Sequence, residues 1–167
     1  MIDIRIADKN DISVIADIIN ETWKVTYKDI VSEKDIIKYT DKTNREDQIS
    51  DFLNKGELEY LIASHNSSDC GVISYKKYDK DDYDDCAYIM QLYILPDFQK
   101  IGIGKALMAY VTDTIKEKGY KRIILNTLEK NSNARAFYEK LGYEYIGAEL
   151  SPLFSEKIVR ALYKKEL

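Results

Sequence analysis

The first residues of the chain alternate between apolar and polar side chains and then change to a helical spacing. Ile2, Ile4 and Ile6 stand between polar neighbours, which is typical of a strand with one buried face. From residue 12 to residue 23, apolar positions recur every three or four residues after a polar stretch. The pattern predicts an amphipathic helix directly after the first strand.

Capping patterns predict one or two short helices next. Ser32 is followed three positions later by Asp35, and Thr43 is followed by Glu46. A hydroxyl residue with an acid three positions on can satisfy free N–H groups at a helix start. We therefore expect helices that begin near residues 32 and 43.

The rest of the chain alternates between strand and helix patterns. Strands are expected over residues 59–64, 70–78, 88–95, 122–127, 143–146 and 157–162, and helices over residues 105–118 and 131–141. This order predicts an α/β fold with one mixed sheet and helices packed on it. The length of 167 residues fits a single domain, residues 1–167.

Composition and charge narrow the classes of function. The net charge of −4 argues against a nucleic-acid partner, and no apolar run is long enough to cross a bilayer. The first residues lack the pattern of a signal peptide, so a cytoplasmic location is expected. Cys70 and Cys86 show no ligand spacing and His65 is the single histidine, so no metal site is expected.

An acidic run at residues 79–85 has carboxylates at alternate positions, as a calcium loop would. The sixth position of such a loop would be Asp84 instead of glycine, and the twelfth would be Met90 instead of glutamate. A solvated hairpin loop is the simpler interpretation. The run could also attract a cationic substrate.

The strongest chemical signal is a glycine-containing turn between a strand pattern and a helix pattern. Gln99, Gly102 and Gly104 lie in this turn. A helix start that follows such a turn offers unpaired N–H groups and partial positive charge to an anion such as a diphosphate. Ala106 breaks the P-loop pattern and Leu107 breaks the dinucleotide fingerprint.

Residues 99–104 instead resemble the Q/R-x-x-G-x-G/A signature of the GCN5-related N-acetyltransferase (GNAT) superfamily. Residues 92–99 look like that family's fourth strand and its lead-in, and residues 131–143 are similar to its N-x-x-A-x-x-x-Y-x-x-x-G-[FY] element. The resemblance covers the whole predicted element order. It implies about seven strands, mostly antiparallel with a central, splayed parallel pair, and about four helices.

The same resemblance implies that acetyl-CoA or coenzyme A is the cosubstrate. Its pantetheine arm would lie against the fourth strand and its diphosphate on the turn. The implied cofactor-binding residues are Leu92, Tyr93, Ile94, Gln99, Lys100, Ile101, Gly102, Ile103, Gly104, Lys105, Asn131 and Tyr138.

Roles in catalysis are also implied by the resemblance. The N–H of Leu92 or Tyr93 would stabilise negative charge on the thioester oxygen, and Tyr138 would protonate the sulfur that leaves. Tyr138 could instead be a core aromatic residue. Asn131 could contact the coenzyme or simply cap its helix.

The acceptor pocket is implied to include Glu21, Trp23, Tyr27 and Tyr88. Many relatives carry a glutamate on the fourth strand, but this chain has none there, so water, Tyr88 or Glu21 could accept the proton. Trp23 could equally be core.

The expected acceptor is a primary amine. A polyamine or other small cationic amine is one alternative, because residues 98–105 and 129–131 resemble small bacterial members that modify polyamines. A protein N-terminus or lysine is another. A non-catalytic acyl-CoA sensor on the same fold is the competing function, and a homodimer is one expected assembly, because family members are often dimers.

Overall fold

The computed structural model describes residues 1–80 and 83–167. Its strands are β1 (Ile2–Ile6), β2 (Glu59–His65), β3 (Ser68–Lys77), β4 (Cys86–Ile94), β5 (Arg122–Leu128), β6 (Glu144–Leu150) and β7 (Val159–Glu166). Its helices are α1 (Ile12–Thr26), α2 (Glu33–Tyr39), α3 (Lys42–Lys55), α4 (Ile103–Glu117) and α5 (Ser132–Lys140). Short 3-10 turns precede α1 and α4.

The strands form one seven-stranded sheet in the order β1-β2-β3-β4-β5-β7-β6. The pairing of β4 with β5 is parallel, and the other neighbouring strands are antiparallel. The predicted mixed sheet with a central parallel pair is confirmed. The described residues contain five α-helices, in line with the about four that were implied, and residues 33–55 form two helices, α2 and α3.

The two predicted helix caps have different outcomes. The Ser32 hydroxyl accepts a hydrogen bond from the Asp35 N–H at 3.2 Å, so the first cap is confirmed. The second prediction is wrong, because Thr43 lies inside α3 and Asp41 caps it by accepting from the Asn44 N–H at 2.9 Å. An extended aspartate just before the first turn already fills the capping position.

Apolar residues pack on both faces of the sheet. The face under α4 and α5 holds, among others, Ile73, Ile89, Leu107, Val111 and Leu125. The face under α1 and α3 holds, among others, Ile15, Ile19, Ile49, Ile62 and Val72. Because neighbouring residues of a strand point to opposite faces, Val72 and Ile73 anchor helices on opposite sides of β3.

The parallel pair separates half-way along β4. Its register ends where Ile89 lies opposite Leu125, although β4 continues to Ile94. On the other edge of β4, Gln91 pairs with Ser74 and Ile89 with Tyr75, so Met90 is an extra residue. Such a bulge bends a strand, and β4 leaves β5 at this point. The predicted splay is therefore confirmed.

Only part of the acidic run 79–85 can be placed, because residues 81–82 lie outside the described residues. Asp79 pairs with Lys76, and Asp85 pairs with Arg122 at 2.7 Å. The attraction of a cationic substrate to this run stays a prediction. Within residues 1–80 and 83–167, no helix is long and apolar enough to span a membrane. No group of three or more potential metal ligands occurs in that part of the chain.

Candidate active site

A cavity of about 1360 Å³ opens where β4 leaves β5. Its walls come from both sides of the sheet: α1 and α3 on one side, the turn before α4 and helix α5 on the other, with residues 151–154 at one end. The gap between β4 and β5 therefore connects the two faces of the sheet, which continuous strand pairing would separate.

Most of the predicted cofactor residues line this cavity. They are Leu92, Tyr93, Ile94, Gln99, Lys100, Gly102, Gly104, Lys105, Asn131 and Tyr138. The side chain of Ile101 is instead exposed, and that of Ile103 is buried in the core under α4. These two residues can take part only through their backbone.

Glycine is favoured at two positions of the turn, 102 and 104, for two different structural reasons. Gly102 has φ of 96° and open space where a Cβ would lie, so its backbone conformation requires glycine. A Cβ on Gly104 would come within 3.3 Å of the Phe137 ring, so close packing against α5 favours glycine there. Lys100 also has a positive φ, of 63°, which is uncommon for a side-chain-bearing residue.

The start of α4 presents free backbone donors to the cavity. The first backbone bond into the helix is from the Ala106 N–H to the Gly102 carbonyl, at 3.0 Å. The N–H groups of Ile103, Gly104 and Lys105 have no partner among the described residues. Together with the helix dipole, these unpaired donors match the arrangement expected of an anion site. Anion binding at this turn stays a prediction.

The open edge of β4 offers further backbone groups. The Leu95 N–H donates to the Cys70 carbonyl of β3 at 2.8 Å. Because backbone groups alternate in direction along a strand, Tyr93 also faces β3, whereas Leu92 and Ile94 face the gap. The Ile94 carbonyl accepts from Gln99 Nε2 at 2.9 Å, so Gln99 fixes the lead-in to the turn.

Tyr138 lies on α5 with its side chain only 7% exposed. Burial raises the pKa of its phenol above the ordinary value, with a further contribution from Tyr93. Its hydroxyl forms no hydrogen bond with the described residues, although Tyr138 lines the cavity. The phenol therefore stays protonated at neutral pH and keeps a free donor.

Asn131 has a clear structural role. Its Oδ1 accepts from the Ala134 N–H at 3.2 Å and caps α5. Asn131 also lines the cavity. One side chain can therefore cap the helix with its oxygen and still present its amide nitrogen to a ligand.

The other end of the cavity is walled by aromatic rings. The Trp23 ring centroid lies 4.9 Å from that of Tyr27, 6.0 Å from that of Tyr39 and 5.9 Å from that of Phe154. We call Trp23, Tyr27, Tyr39 and Phe154 the aromatic cage. Burial, followed by the proximity of Tyr93, raises the pKa of Tyr27.

The other two predicted acceptor residues, Tyr88 and Glu21, lie outside the aromatic cage. Tyr88 lines the cavity, and its hydroxyl accepts a hydrogen bond from Asn126 Nδ2. Glu21 does not line the cavity: its exposed carboxylate accepts from Lys24 Nζ at 3.0 Å. Glu21 follows the buried residue Asn20 on α1, so its side chain leaves on the solvent side of the helix.

Sequence reasoning missed three residues of the acceptor end, namely Tyr39, Arg45 and Phe154. Asp35 of α2 holds the loop of Phe154 in place, because its carboxylate accepts from the Ser155 hydroxyl at 2.7 Å and the Ser155 N–H at 3.0 Å. These bonds lower the pKa of Asp35. The contact spans 120 residues of chain, so no local pattern could have shown it.

Comparison with known proteins identifies the family to which this chain belongs. The model of the acetyltransferase (GNAT) family matches residues 16–143. A spermidine N(1)-acetyltransferase of Thermoplasma acidophilum is 26% identical over 160 residues, which cover 93% of this chain and 96% of that protein.

Solved structures share the fold. The PaiA N-acetyltransferase of Thermoplasma acidophilum, in complex with coenzyme A, superposes with a TM-score of 0.76 at 23% identity, over 100% of this chain and 99% of that one. The Salmonella typhimurium protein yncA, solved with its cofactor acetyl-CoA, gives a TM-score of 0.75 at 20% identity, over 99% and 94% of the two chains.

Proposed function

Because the chain belongs to the acetyltransferase (GNAT) family and is an acetyl-CoA-dependent N-acetyltransferase, we propose that it passes the acetyl group directly to a primary amine bound in the same cavity. One observation carries this proposal. The gap between β4 and β5 lies beside the free N–H groups at the start of α4. The backbone donors that would bind a diphosphate therefore lie next to a gap that would accept the extended pantetheine arm.

The chain's residues fit coenzyme A. The N–H groups of Ile103, Gly104 and Lys105 bind the diphosphate, and the Lys100 and Lys105 side chains line the same region. Close packing of Gly104 on Phe137 keeps side-chain atoms out of the cradle. The gap-facing N–H groups of Leu92 and Ile94 and the Leu92 carbonyl would pair with the amides of the arm, since the Ile94 carbonyl already accepts from Gln99 and Thr22.

When bound, acetyl-CoA supplies a thioester carbonyl that a neutral amine can attack. The negative charge that develops on the carbonyl oxygen needs a donor at β4. Of the two predicted donors, Leu92 and Tyr93, we favour Leu92, because Leu92 faces the gap and Tyr93 faces β3.

Tyr138 donates a proton to the sulfur that leaves. The phenol is protonated at neutral pH, as an ordinary phenol is. Burial raises its pKa and so makes it a weaker acid, so its contribution rests on a free hydroxyl beside the departing thiolate, which it would hydrogen-bond and protonate. Tyr138 of α5 and Leu92 of β4 both line the cavity, which supports their assignment to the same acyl-transfer site.

The amine must lose a proton before it attacks, because a free alkylamine titrates near ~10.4. Glu21 does not reach the cavity. In the described part of the chain, Asp41 is the one acidic residue that lines it. The Asp41 carboxylate caps α3. Burial raises the pKa of Tyr88, so its phenol keeps its proton and could only relay one. Water in the cavity is therefore the proposed acceptor of this proton, with Tyr88 as a relay.

Two measurements test the proposal. Calorimetric titration with acetyl-CoA should show binding at micromolar concentrations, and a thiol-release assay over a panel of amines should show turnover. Tight binding without turnover on any amine would favour the alternative, a non-catalytic acyl-CoA sensor. Absence of binding at tens of micromolar would contradict both functions.

The finer predictions concern acceptor, compartment and assembly. A polyamine acceptor is supported by the similarity to the Thermoplasma spermidine N(1)-acetyltransferase. A protein N-terminus or lysine is the alternative. The cytoplasmic location and a homodimer stay predictions. Light scattering on the purified protein tests the second.

A further inference from the structure

Arg45 is a buried cation at the acceptor end of the cavity. Arg45 is 8% exposed to solvent, and it lines the cavity from α3. Nε donates to Asn20 Oδ1 at 3.1 Å, Nη1 to Gln48 Oε1 at 3.1 Å and Nη2 to the Tyr39 carbonyl at 2.6 Å. All three acceptors are neutral.

No acidic side chain of residues 1–80 or 83–167 forms an ion pair with Arg45, whereas Arg5, Arg122 and Arg160 all have carboxylate partners. A buried guanidinium without a counter-ion is costly, and burial lowers the pKa of Arg45. Three of its five N–H groups are used. The other two have no partner among the described residues.

The surroundings of Arg45 favour a ligand with an apolar body. Its guanidinium carbon lies 5.3 Å from the centre of the Trp23 ring, so it borders the aromatic cage. The Trp23 indole N–H is buried and has no partner among the described residues. This end of the cavity therefore combines aromatic walls with a fixed positive charge and an unpaired donor.

The charges of this region are unfavourable for a polycation. Besides Arg45, Lys38 lines the cavity, with Nζ 4.9 Å from the centre of the Tyr39 ring. Asp41 also lines it, but its carboxylate already caps α3. A polyamine would place a second positive charge near these cations.

We propose that the acceptor amine also carries a carboxylate, which Arg45 binds through its two remaining N–H groups, while an apolar or aromatic body lies against Trp23, Tyr39 and Phe154. Free amino acids and short peptides have this chemistry. The inference rests on the proposed function, because it assigns a substrate class to the same site.

Trp23 gives the test a direct readout, because it is the chain's only tryptophan. Its fluorescence is titrated with L-phenylalanine and phenethylamine, with L-leucine and isoamylamine, and with spermidine. Within each of the first two pairs, the compounds differ by the carboxylate. We expect the amino acid to bind about tenfold more tightly than its decarboxylated partner, since a site built for a polar group rejects an analogue that lacks it.

Arg45→Gln should remove this preference. Arg45→Lys should keep part of it, because lysine retains the positive charge but lacks the planar pair of N–H donors that binds both carboxylate oxygens. Arg122→Gln is the matched control, since Arg122 pairs with Asp85 away from the cavity. Thermal unfolding of each variant shows whether it is folded. If Arg45→Gln does not fold, the Arg45→Lys comparison decides.

The inference is overturned if neither amino acid binds better than its partner, if spermidine binds more tightly than both amino acids, or if the preference survives in Arg45→Gln. Acetyl-CoA binding, measured separately by calorimetry, keeps the two proposals apart. A chain that binds acetyl-CoA but does not prefer carboxylates contradicts this inference alone. A chain that does not bind acetyl-CoA contradicts the proposed function.

Discussion

Ile89 of β4 lies opposite Leu125 of β5 in the last paired position of the parallel strands. The bulge at Met90 follows immediately, and beyond it Leu92 and Ile94 direct their backbone groups into the cavity. A single extra residue in β4 thus coincides with the change from a closed sheet to an open slot. The acyl-transfer site depends on this change.

Gly102 and Gly119 provide a matched pair for testing the turn. Both have φ near 90° and open space at the Cβ position, so each alanine substitution should reduce the free energy of unfolding by about 1 kcal/mol. Only Gly102→Ala should weaken coenzyme A binding, by about threefold or more, because only Gly102 lines the cavity. Calorimetry and urea denaturation measure the two effects. Equal affinities in both variants would contradict the role of the turn.

Removal of the Tyr138 hydroxyl should affect catalysis and leave binding intact. Tyr138→Phe should lower kcat by about 100-fold, the usual contribution of a general acid, with little change in the Kd of acetyl-CoA. Tyr143→Phe is the control, because Tyr143 lies buried beside Tyr138, 5.9 Å between ring centroids, but does not line the cavity. Wild-type turnover in Tyr138→Phe would show that another group protonates the sulfur.

The two roles of Asn131 can be separated by substitution. Asn131→Ala removes the cap of α5 and should cost about 1 kcal/mol of unfolding free energy. Asn131→Asp should keep the cap, because aspartate caps as well as asparagine, but it replaces an amide nitrogen in the cavity with a charged oxygen. We expect both variants to bind coenzyme A more weakly. Normal binding by a stable Asn131→Asp would confine Asn131 to capping.

Stability should fall at alkaline pH because buried tyrosines resist ionisation. Burial raises the pKa of Tyr27, Tyr60, Tyr138 and Tyr143 in the folded chain. An unfolded tyrosine loses its proton near pH ~10, so each contributes stability that is complete below that pH and is lost above it, at about 1.4 kcal/mol per pH unit. Urea denaturation between about pH 9 and 11 should show a shallower decline for Tyr138→Phe. An unchanged slope would mean that Tyr138 is not desolvated.

The strands of the sheet and the glycine-containing turn could be predicted because their signals are local, whereas the splayed parallel pair was implied by the family resemblance. Gly102 and Gly104 follow a strand pattern and precede a helix pattern. The predicted cap at Thr43 failed because Asp41, two residues earlier, was the stronger capping residue. Local patterns compete, and the sequence alone does not show which one prevails.

The acceptor end could not be predicted in the same way. Arg45 lies on a mostly polar helix, and its partners Asn20 and Tyr39 are brought together by the packing of α1, α2 and α3. Phe154 reaches the cavity through a loop that Asp35 fixes from the opposite end of the chain. Glu21 was implied by the resemblance of residues 21–27 to the family's acceptor wall, but Trp23 lines the cavity and Glu21 does not.

The central claim is that backbone groups of β4 and of the start of α4 hold acetyl-CoA. Amide resonances of the isotopically labelled chain, followed by nuclear magnetic resonance during titration with acetyl-CoA, test it most directly. We expect the largest changes, and slower hydrogen exchange, at Leu92, Ile94, Gly104 and Lys105. Unchanged amides at these residues, with changes concentrated elsewhere in the chain, would contradict the account.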